Sequence, residues 1–435
     1  MSSVAIGLIA IIILLLMLAV RVPIAFALSA VSVVGMMIIR GPNAAVSVLA
    51  EQPYRFIAHW SMSAIPMFLL MGAVAYHAGL TSSLYRAARL WLSALPGGLA
   101  VASTAACAMF AAASGSSVAT ASAMGKIAIP EMLRYKYDAG LATGSVAAAG
   151  TLGSLIPPSI LMVLYAIFAE VSVSRALLAG VLPGILSAIM FILMITIRCK
   201  LNPSLAPRVD EEISWRQRLD VLREIWPLPV LIFAVIGSLY IGVFTATEAA
   251  AGGAFMTLVV AAMRGALNWT VVKNSIKEAV YGTATILFIA LGGFLLSRFM
   301  AVSGLPNYVA HLVDGLNVSG MVVVVGASFV YLILGMFLDS IGIMLLTLPI
   351  MLPVLEAAKL DLVWFGVLVI KYLEIGLITP PVGLNVFVIK SVVGKAIPLE
   401  VIFKGVMWFI ATDIVTLAIL IAFPEISLFL PRIMN

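Results

Sequence analysis

Apolar runs of the length that crosses a bilayer as a helix, about 20 residues, recur along the whole chain with short polar turns between them. They fall at residues 4–20, 24–39, 64–80, 177–197, 226–243, 246–263, 281–300 and 401–423. Residues 41–63 are mixed, carrying Glu51, Arg55, His59 and Trp60, and are expected to lie partly in the membrane interface. Residues 85–91, with Arg86 and Arg89 on a polar face and Leu90 and Trp91 beside them, read as a short amphipathic surface helix. Residues 198–224 hold six basic and five acidic side chains and read as a linker between two halves, and residues 264–278 read as a polar loop.

Four stretches do not fit that plan. Residues 97–133 and 318–355 are too long for one span, and the first carries a crowd of small and hydroxylated residues, Ala111 to Ser122, at its centre. Backbone that leaves the helix at membrane depth is tolerated only where protein buries it or where it lines a watery cavity, so each stretch is predicted to be a re-entrant hairpin. The tips are expected at Ser114, Gly115, Ser116 and Ser117, and at Asp339 and Ser340. Residues 139–168 and 362–392 are predicted spans broken in the middle, at Gly150-Thr151-Leu152-Gly153 leading to Pro157-Pro158, and at Gly376-Leu377-Ile378-Thr379-Pro380-Pro381. Proline supplies no backbone donor and clashes with the preceding turn.

These features occur in one register. A shift of 223 positions carries Ser117 onto Ser340, Pro130 onto Pro353, Gly153 onto Gly376, and Pro157 and Pro158 onto Pro380 and Pro381. Interrupted apolar segments at corresponding places in two halves point to a transport site.

Composition agrees. Of 435 residues 63% are hydrophobic and 10% charged, with a mean hydropathy of +1.19, against about half apolar and a quarter charged in a soluble domain. The chain is therefore an all-α polytopic membrane protein, with about ten spans plus the two hairpins. Residues 4–20 lack a basic leader and a cleavage site, so they read as a retained span. Residues 1–63 and 226–280 are assigned to scaffold helices, 64–198 and 281–423 to two repeats, and 199–225 to the linker. With the linker in the cytoplasm, most of the 25 Lys and Arg residues fall on that side, as the positive-inside rule requires. Both termini are then periplasmic, one hairpin enters from each side, and the repeat is inverted. The net charge of +6 reflects this placement and does not imply nucleic-acid binding. Cys107 and Cys199 suggest no disulfide framework, and three scattered histidines match no metal-ligand spacing.

Each half thus offers a hairpin tip beside a broken span, with Ser114, Gly115, Ser117, Thr120, Gly150 and Gly153 in the first half. The second supplies Asp339, Ser340, Gly342, Gly376, Thr379, Gly383 and Asn385. Free carbonyls and hydroxyls suit a small hard cation, so these residues are expected to hold one sodium ion in each half. An anionic substrate is expected between the tips, against Ser116, Ser117, Thr151, Pro157, Ser340, Thr379 and Pro380. Close helix packing by small residues is the competing explanation, but it leaves the repeated Pro-Pro breaks unexplained. Asp339 is the candidate for charge compensation, against a role as a helix cap only. Lys371 and Glu374 are expected to pair along one helix, and Glu248 and Arg298 to lie near helix ends. Gly115-Ser116-Ser117 contains a Gly-x-Ser, but no histidine is placed to activate it, so a serine protease is set aside and no enzyme activity is expected.

Taken together, these motifs resemble the large membrane subunit of TRAP transporters, the tripartite ATP-independent periplasmic transporters. The similarity rests on residues 113–120, on residues 153–159, on Phe337-Leu338-Asp339, and on Gly376-Leu377-Ile378-Thr379-Pro380-Pro381-Val382-Gly383-Leu384-Asn385. It implies an elevator-type, sodium-driven importer of carboxylates, of the C4-dicarboxylate or sialic-acid type, in a bacterial inner membrane. The hairpins and broken spans would move against the remaining helices. It also implies two partners, a periplasmic substrate-binding protein and a small membrane subunit. With no four-helix segment ahead of Met1, that subunit is expected to be a separate chain. The resemblance also implies membership in the ion transporter superfamily, and the nearest rival is a carboxylate symporter of that superfamily that needs no binding protein.

Overall fold

In lipid, an apolar backbone must satisfy its own hydrogen bonds, and the helix does so within a single segment. The computed structural model describes residues 2–207, 213–316 and 318–434, and among them it is helical with no strand. Residues 208–212 of the expected linker, Met1 of the first scaffold segment and Asn317 of the expected second repeat lie outside the described residues.

Helices α1 (Ser3–Ala19) and α2 (Ile24–Arg40) meet at a tight turn where Arg21 has φ 67°. Helix α3 (Pro42–Ile57) joins α4 (Ala64–His77) through a 3-10 turn with a 57° bend, and α5 (Leu80–Leu92) follows. The first hairpin is α6 (Gly98–Ser114) and α7 (Ser117–Arg134). The first broken span is α8 (Ala139–Thr151) and α9 (Ile160–Phe168), leading to α10 (Val173–Ala179) and α11 (Val181–Leu201). Beyond residues 208–212 come α12 (Trp215–Ile225), α13 (Pro227–Ile241), α14 (Ala246–Met263), α15 (Trp269–Ser303) and α16 (Leu305–Gly315). The second hairpin is α17 (Gly320–Gly335) and α18 (Ser340–Ala357), and the second broken span is α19 (Leu362–Gly376) and α20 (Leu384–Val393). Helices α21 (Leu399–Ala422) and α22 (Glu425–Ile433) close the chain.

Several expectations change. The loop expected at 264–278 is largely helix, because Asn268 accepts from the Val271 amide and starts a 35-residue α15 there. The mixed segment 41–63 is mostly α3, and the linker contains α12, begun by a capping box of Ser214 and Gln217. Helix α12 lies on α5, where Arg86 pairs with Glu224 and the Trp91 indole donates to the Arg218 carbonyl at 3.2 Å. Against about ten expected spans, five helices are long and apolar enough alone, or seven where each bent pair is one span. Six of the expected spans are among those seven, the other being the hairpin helix α18. Of the four that fall short, α1 and α2 have 17 residues each, or about 26 Å at 1.5 Å per residue, just under the apolar thickness of about 30 Å, and the two broken spans are divided into shorter helices.

The shift of 223 extends beyond the motifs that first showed it. It carries α7 onto α18 end to end, α8 onto α19, α9 onto α20, α5 onto α16, α2 onto α14 and α1 onto α13, each within a few residues. The halves differ where the first has proline. Pro53 and Pro66 flank the bend between α3 and α4, whereas Ile276 and Ile289 occupy the same register in α15, which stays continuous. Proline cannot donate to the turn before it, so only the first copy is broken.

One large apolar core joins α4 to the hairpin helices α6 and α7 and to α8, α9, α19 and α21; Phe68, Phe110, Tyr165 and Phe365 are among its fully buried side chains. A smaller core, with Leu14, Leu28 and Phe299, holds α1, α2 and α15 together.

Candidate functional site

Each hairpin turns because its tip residues cap helices. Gly115 ends α6 in the left-handed conformation (φ 61°) that glycine adopts without strain. Ser116 then caps α7 by accepting from the Ala119 amide, and Asp339 caps α18 by accepting from the amides of Ile341 (3.1 Å) and Gly342 (3.2 Å).

The first tip is docked into the first break. A Cβ on Gly115 would stand 2.3 Å from the Pro158 carbonyl oxygen, and one on Gly153 would stand 2.6 Å from that of Ser116, so only glycine permits these approaches. Gly150 fits equally closely over Ala121. The Ser117 hydroxyl donates to the Thr151 carbonyl at 3.0 Å and pairs with the Ser154 hydroxyl, while Ser159 donates to the Ser154 carbonyl. Thr120 donates to the Ser116 carbonyl at 2.8 Å and lies 2.7 Å from the Ser114 hydroxyl. Five hydroxyls and three carbonyls thus crowd into a segment whose residues 151–160 are all buried.

The second tip is built differently. Gly376 packs directly on Gly335, and the Val382 amide donates to the Met336 carbonyl at 3.3 Å. Thr379 turns its hydroxyl back to the Ile375 carbonyl at 2.6 Å. Asp339 Oδ1, the Ser340 hydroxyl and Asn385 Oδ1 are buried and have no hydrogen-bond partner. Gly342 leaves room for Asp339 Oδ1, since a Cβ there would come within 2.8 Å of it. Each of the three is an oxygen left without a partner, one of them from a carboxylate, and oxygen of this kind suits a hard cation.

Both tips open on one cavity of about 140 Å³. Its walls include Ser116 and Ser117 from the first tip and Asp339 and Ser340 from the second, with Ile160, Leu161 and Leu384 from the breaks. These residues are the starts of four helices, α7, α9, α18 and α20, so four helix N-termini meet there. Each brings the positive end of its dipole, while caps and turns already take several of the first amides, among them those of Ala119, Met162, Ile341, Gly342 and Asn385. The one charged side chain among the lining residues is Asp339.

Of the residues assigned to substrate, Ser116, Ser117 and Ser340 line this cavity, whereas Thr151, Pro157, Thr379 and Pro380 are not in its lining. Thr151 contributes its carbonyl, because its hydroxyl is turned back to the Ala148 carbonyl at 2.7 Å. Both Pro-Pro bonds, 157–158 and 380–381, are cis. Asn385 reaches the other half, donating to the Ala147 carbonyl. Sequence reasoning missed Ser154 and Ser159, whose signal was their place inside the first break. Glu248 proves to be the second member of a capping box with Thr245 at the start of α14, and Lys371 does pair with Glu374, with Asp413 as an unforeseen third member. Among the described residues no group of three or more His, Cys, Asp or Glu side chains is placed to hold a metal ion.

A wider cavity of about 730 Å³ adjoins the first. It lies between α4 and α15 on one side and α6 and α7 on the other, and shares Ser116, Val118, Ile160 and Ile286 with it. Lys126, Glu278 and Tyr281 line it further from the tips.

Comparison with known proteins places this arrangement. In overall fold the chain is similar to the gonococcal MtrF efflux pump of Neisseria gonorrhoeae, with a TM-score of 0.63, 14% identity, and coverage of 97% of this chain and 95% of that one. In sequence it is 36% identical over 388 residues to the C4-dicarboxylate TRAP transporter large permease protein DctM of Pseudomonas aeruginosa, covering 88% of this chain and 89% of the relative. The sialic acid TRAP transporter large permease protein SiaM of Vibrio cholerae is 29% identical, covering 89% and 90%. The family model described as "Tripartite ATP-independent periplasmic transporter, DctM component" matches residues 11–426. A match of that extent assigns the chain to the DctM family, so it is a TRAP transporter large permease, a multi-pass membrane protein that transports and is not an enzyme.

Proposed function

We propose that this permease imports a small carboxylate together with sodium, carrying both in the space between the two hairpin tips. The observation behind the proposal is that four helix N-termini and the Ser116, Ser117 and Ser340 hydroxyls converge on a cavity with no lysine or arginine in its lining. Helix N-termini are ready-made anion sites, and the charge nearest them is the negative Asp339. An anion entering beside Asp339 needs cations alongside it. One sodium ion would sit among the hydroxyls and carbonyls of the first tip and break, and another at the orphaned oxygens of Asp339, Ser340 and Asn385.

Coupling follows from the same arrangement. Sodium would complete the tips and so order the anion site, and substrate alone would bind poorly. An inward-negative potential contributes about 2.3 kcal/mol per net charge per 100 mV, so two sodium ions with one monovalent anion gain useful drive. The repeat would be inverted, with the hairpins entering from opposite faces and both termini periplasmic. The hairpins and broken spans would slide as an elevator against α1–α4 and α13–α16. In that orientation the wider cavity opens to the cytoplasm.

The relatives' names include C4-dicarboxylate and sialic acid permeases, both carboxylates, which supports the substrate class. Membership in a tripartite family supports two partners, a periplasmic binding protein that delivers substrate and a small membrane subunit. Reconstitution of the chain with its small subunit and matched binding protein tests the whole reading. Uptake of a labelled carboxylate should require external sodium and the binding protein. Equal uptake with potassium in place of sodium would refute the coupling ion, and uptake by this chain alone would point instead to a self-sufficient symporter.

A further inference from the structure

A groove of about 740 Å³ lies on the outside of the molecule between α11 and α21. Its apolar walls come from Met190, Leu193 and Ile197 on α11 and from Ala411 and Val415 on α21, and all of these but Met190 are exposed. The two helices are held together by the buried rings of Phe191 and Phe409, which meet edge to face at 5.4 Å. From Met190 to Asn202 the groove follows the chain for about 18 Å at 1.5 Å per residue, a little more than half of an apolar layer of about 30 Å. It is therefore about as deep as one leaflet.

One end of the groove is cationic. Arg198, in the last turn of α11, lines it beside Asn202, with its guanidinium carbon 5.1 Å from the centre of the Trp408 ring on α21. Stacking uses the face of a guanidinium and leaves its edge for a planar or tetrahedral anion. Arg198 Nη1 is buried without a hydrogen-bond partner, and among the described residues no acidic side chain lines the groove. Lys200 in the same last turn, and Lys404 one turn before Trp408, are exposed. The buried carboxylates of α19 and α21, Glu374 and Asp413, are taken by Lys371, which lies against Phe191, two turns before Arg198.

We propose that this groove binds one anionic phospholipid, with an acyl chain along Leu193 and Val415 and the phosphate on Arg198. The change of polarity along the groove carries the choice of occupant. A small free anion would leave the apolar walls unmatched, and a neutral lipid would leave the guanidinium without its counter-charge. Basic pockets between membrane helices hold anionic headgroups in this way, and arginine suits phosphate because its planar fork makes two parallel hydrogen bonds. In the proposed orientation the cationic end is cytoplasmic. The 223-residue register pairs α11 with α21, but it carries Arg198 onto Ile421 and sets Val181 opposite Lys404, so the cationic end is not duplicated.

Photoactivatable phosphatidylglycerol, with its reactive group on an acyl chain, tests this on the full-length wild-type protein in a neutral detergent, without reference to transport. After illumination, mass spectrometry should find label on residues 190–201 and 408–415. Unlabelled phosphatidylglycerol should displace it at a concentration about fivefold lower than phosphatidylcholine needs, the factor that one cation near an anionic headgroup supplies. Arg198→Gln should abolish that preference, and Arg198→Lys should keep part of it. Equal displacement by the two lipids would overturn the proposal. So would label absent from both helices, which would mean that protein covers the groove. Both results come from the wild type and stand even where a variant fails to fold.

Discussion

The side-chain amide of Asn385, in the first turn of α20, donates to the carbonyl oxygen of Ala147 on α8, 3.2 Å away and 238 positions earlier in the chain. The helix that leaves the second break is thereby tied to the helix that enters the first. Both groups are buried, and an unsatisfied buried donor or acceptor costs about 1–3 kcal/mol. Replacing Asn385 by Leu should lower stability by about that amount, read as a lower unfolding midpoint in detergent. An unchanged midpoint would show that the two halves do not depend on this bridge.

Ser117 connects three parts of the first site, since its hydroxyl holds the Thr151 carbonyl and the Ser154 hydroxyl. Ser117→Ala removes one oxygen from the cluster and the restraint on two others. If the cluster binds sodium, the sodium concentration giving half-maximal uptake should rise about tenfold, equivalent to about 1.4 kcal/mol. Ser117→Thr keeps the hydroxyl and should shift it less. A wild-type sodium dependence in the alanine variant would reduce the role of Ser117 to packing.

Asp339 has two functions that substitution can separate. One oxygen caps α18, and the other is buried without a partner. Asparagine caps a helix as well as aspartate does but carries no charge. Asp339→Asn should therefore keep its thermal stability and lose sodium-dependent stabilisation, whereas Asp339→Ala should lose both, with about 1 kcal/mol from the cap. Equal sodium-dependent stabilisation of the asparagine variant and the wild type would leave only the cap.

Much of this was legible in the sequence, because the constraints that shape the site act on short stretches. A Gly-Ser tip and a Pro-Pro pair interrupt a helix wherever they stand in an apolar run, so both hairpins and both breaks could be placed within a few residues. Helix α16 was equally accessible: shifting the amphipathic stretch 85–91 by 223 positions lands inside Leu305–Gly315. Which atoms face the cavity was not legible. The Thr151 and Thr379 hydroxyls turn back to carbonyls of their own helices, a choice settled by backbone geometry at the breaks. The pairing of Lys371 with Asp413 joins helices 42 positions apart, and no local pattern encodes it.

Orientation is tested at Thr285, an exposed α15 residue in the wall of the wider cavity. In the proposed topology that cavity opens to the cytoplasm, so cysteine at 285 should react with a membrane-impermeant thiol reagent in inside-out vesicles and stay unmodified in right-side-out ones. The background is favourable, because the native Cys107 and Cys199 are 0% and 3% exposed. The substitution is mild: the Thr285 hydroxyl donates only to the Tyr281 carbonyl one turn earlier, at 2.9 Å. Saturating sodium and substrate should slow the labelling as the tips close over their cargo, which links the side of access to the transport cycle. Labelling confined to right-side-out vesicles would invert the topology and place the linker, with its basic residues, outside the cell.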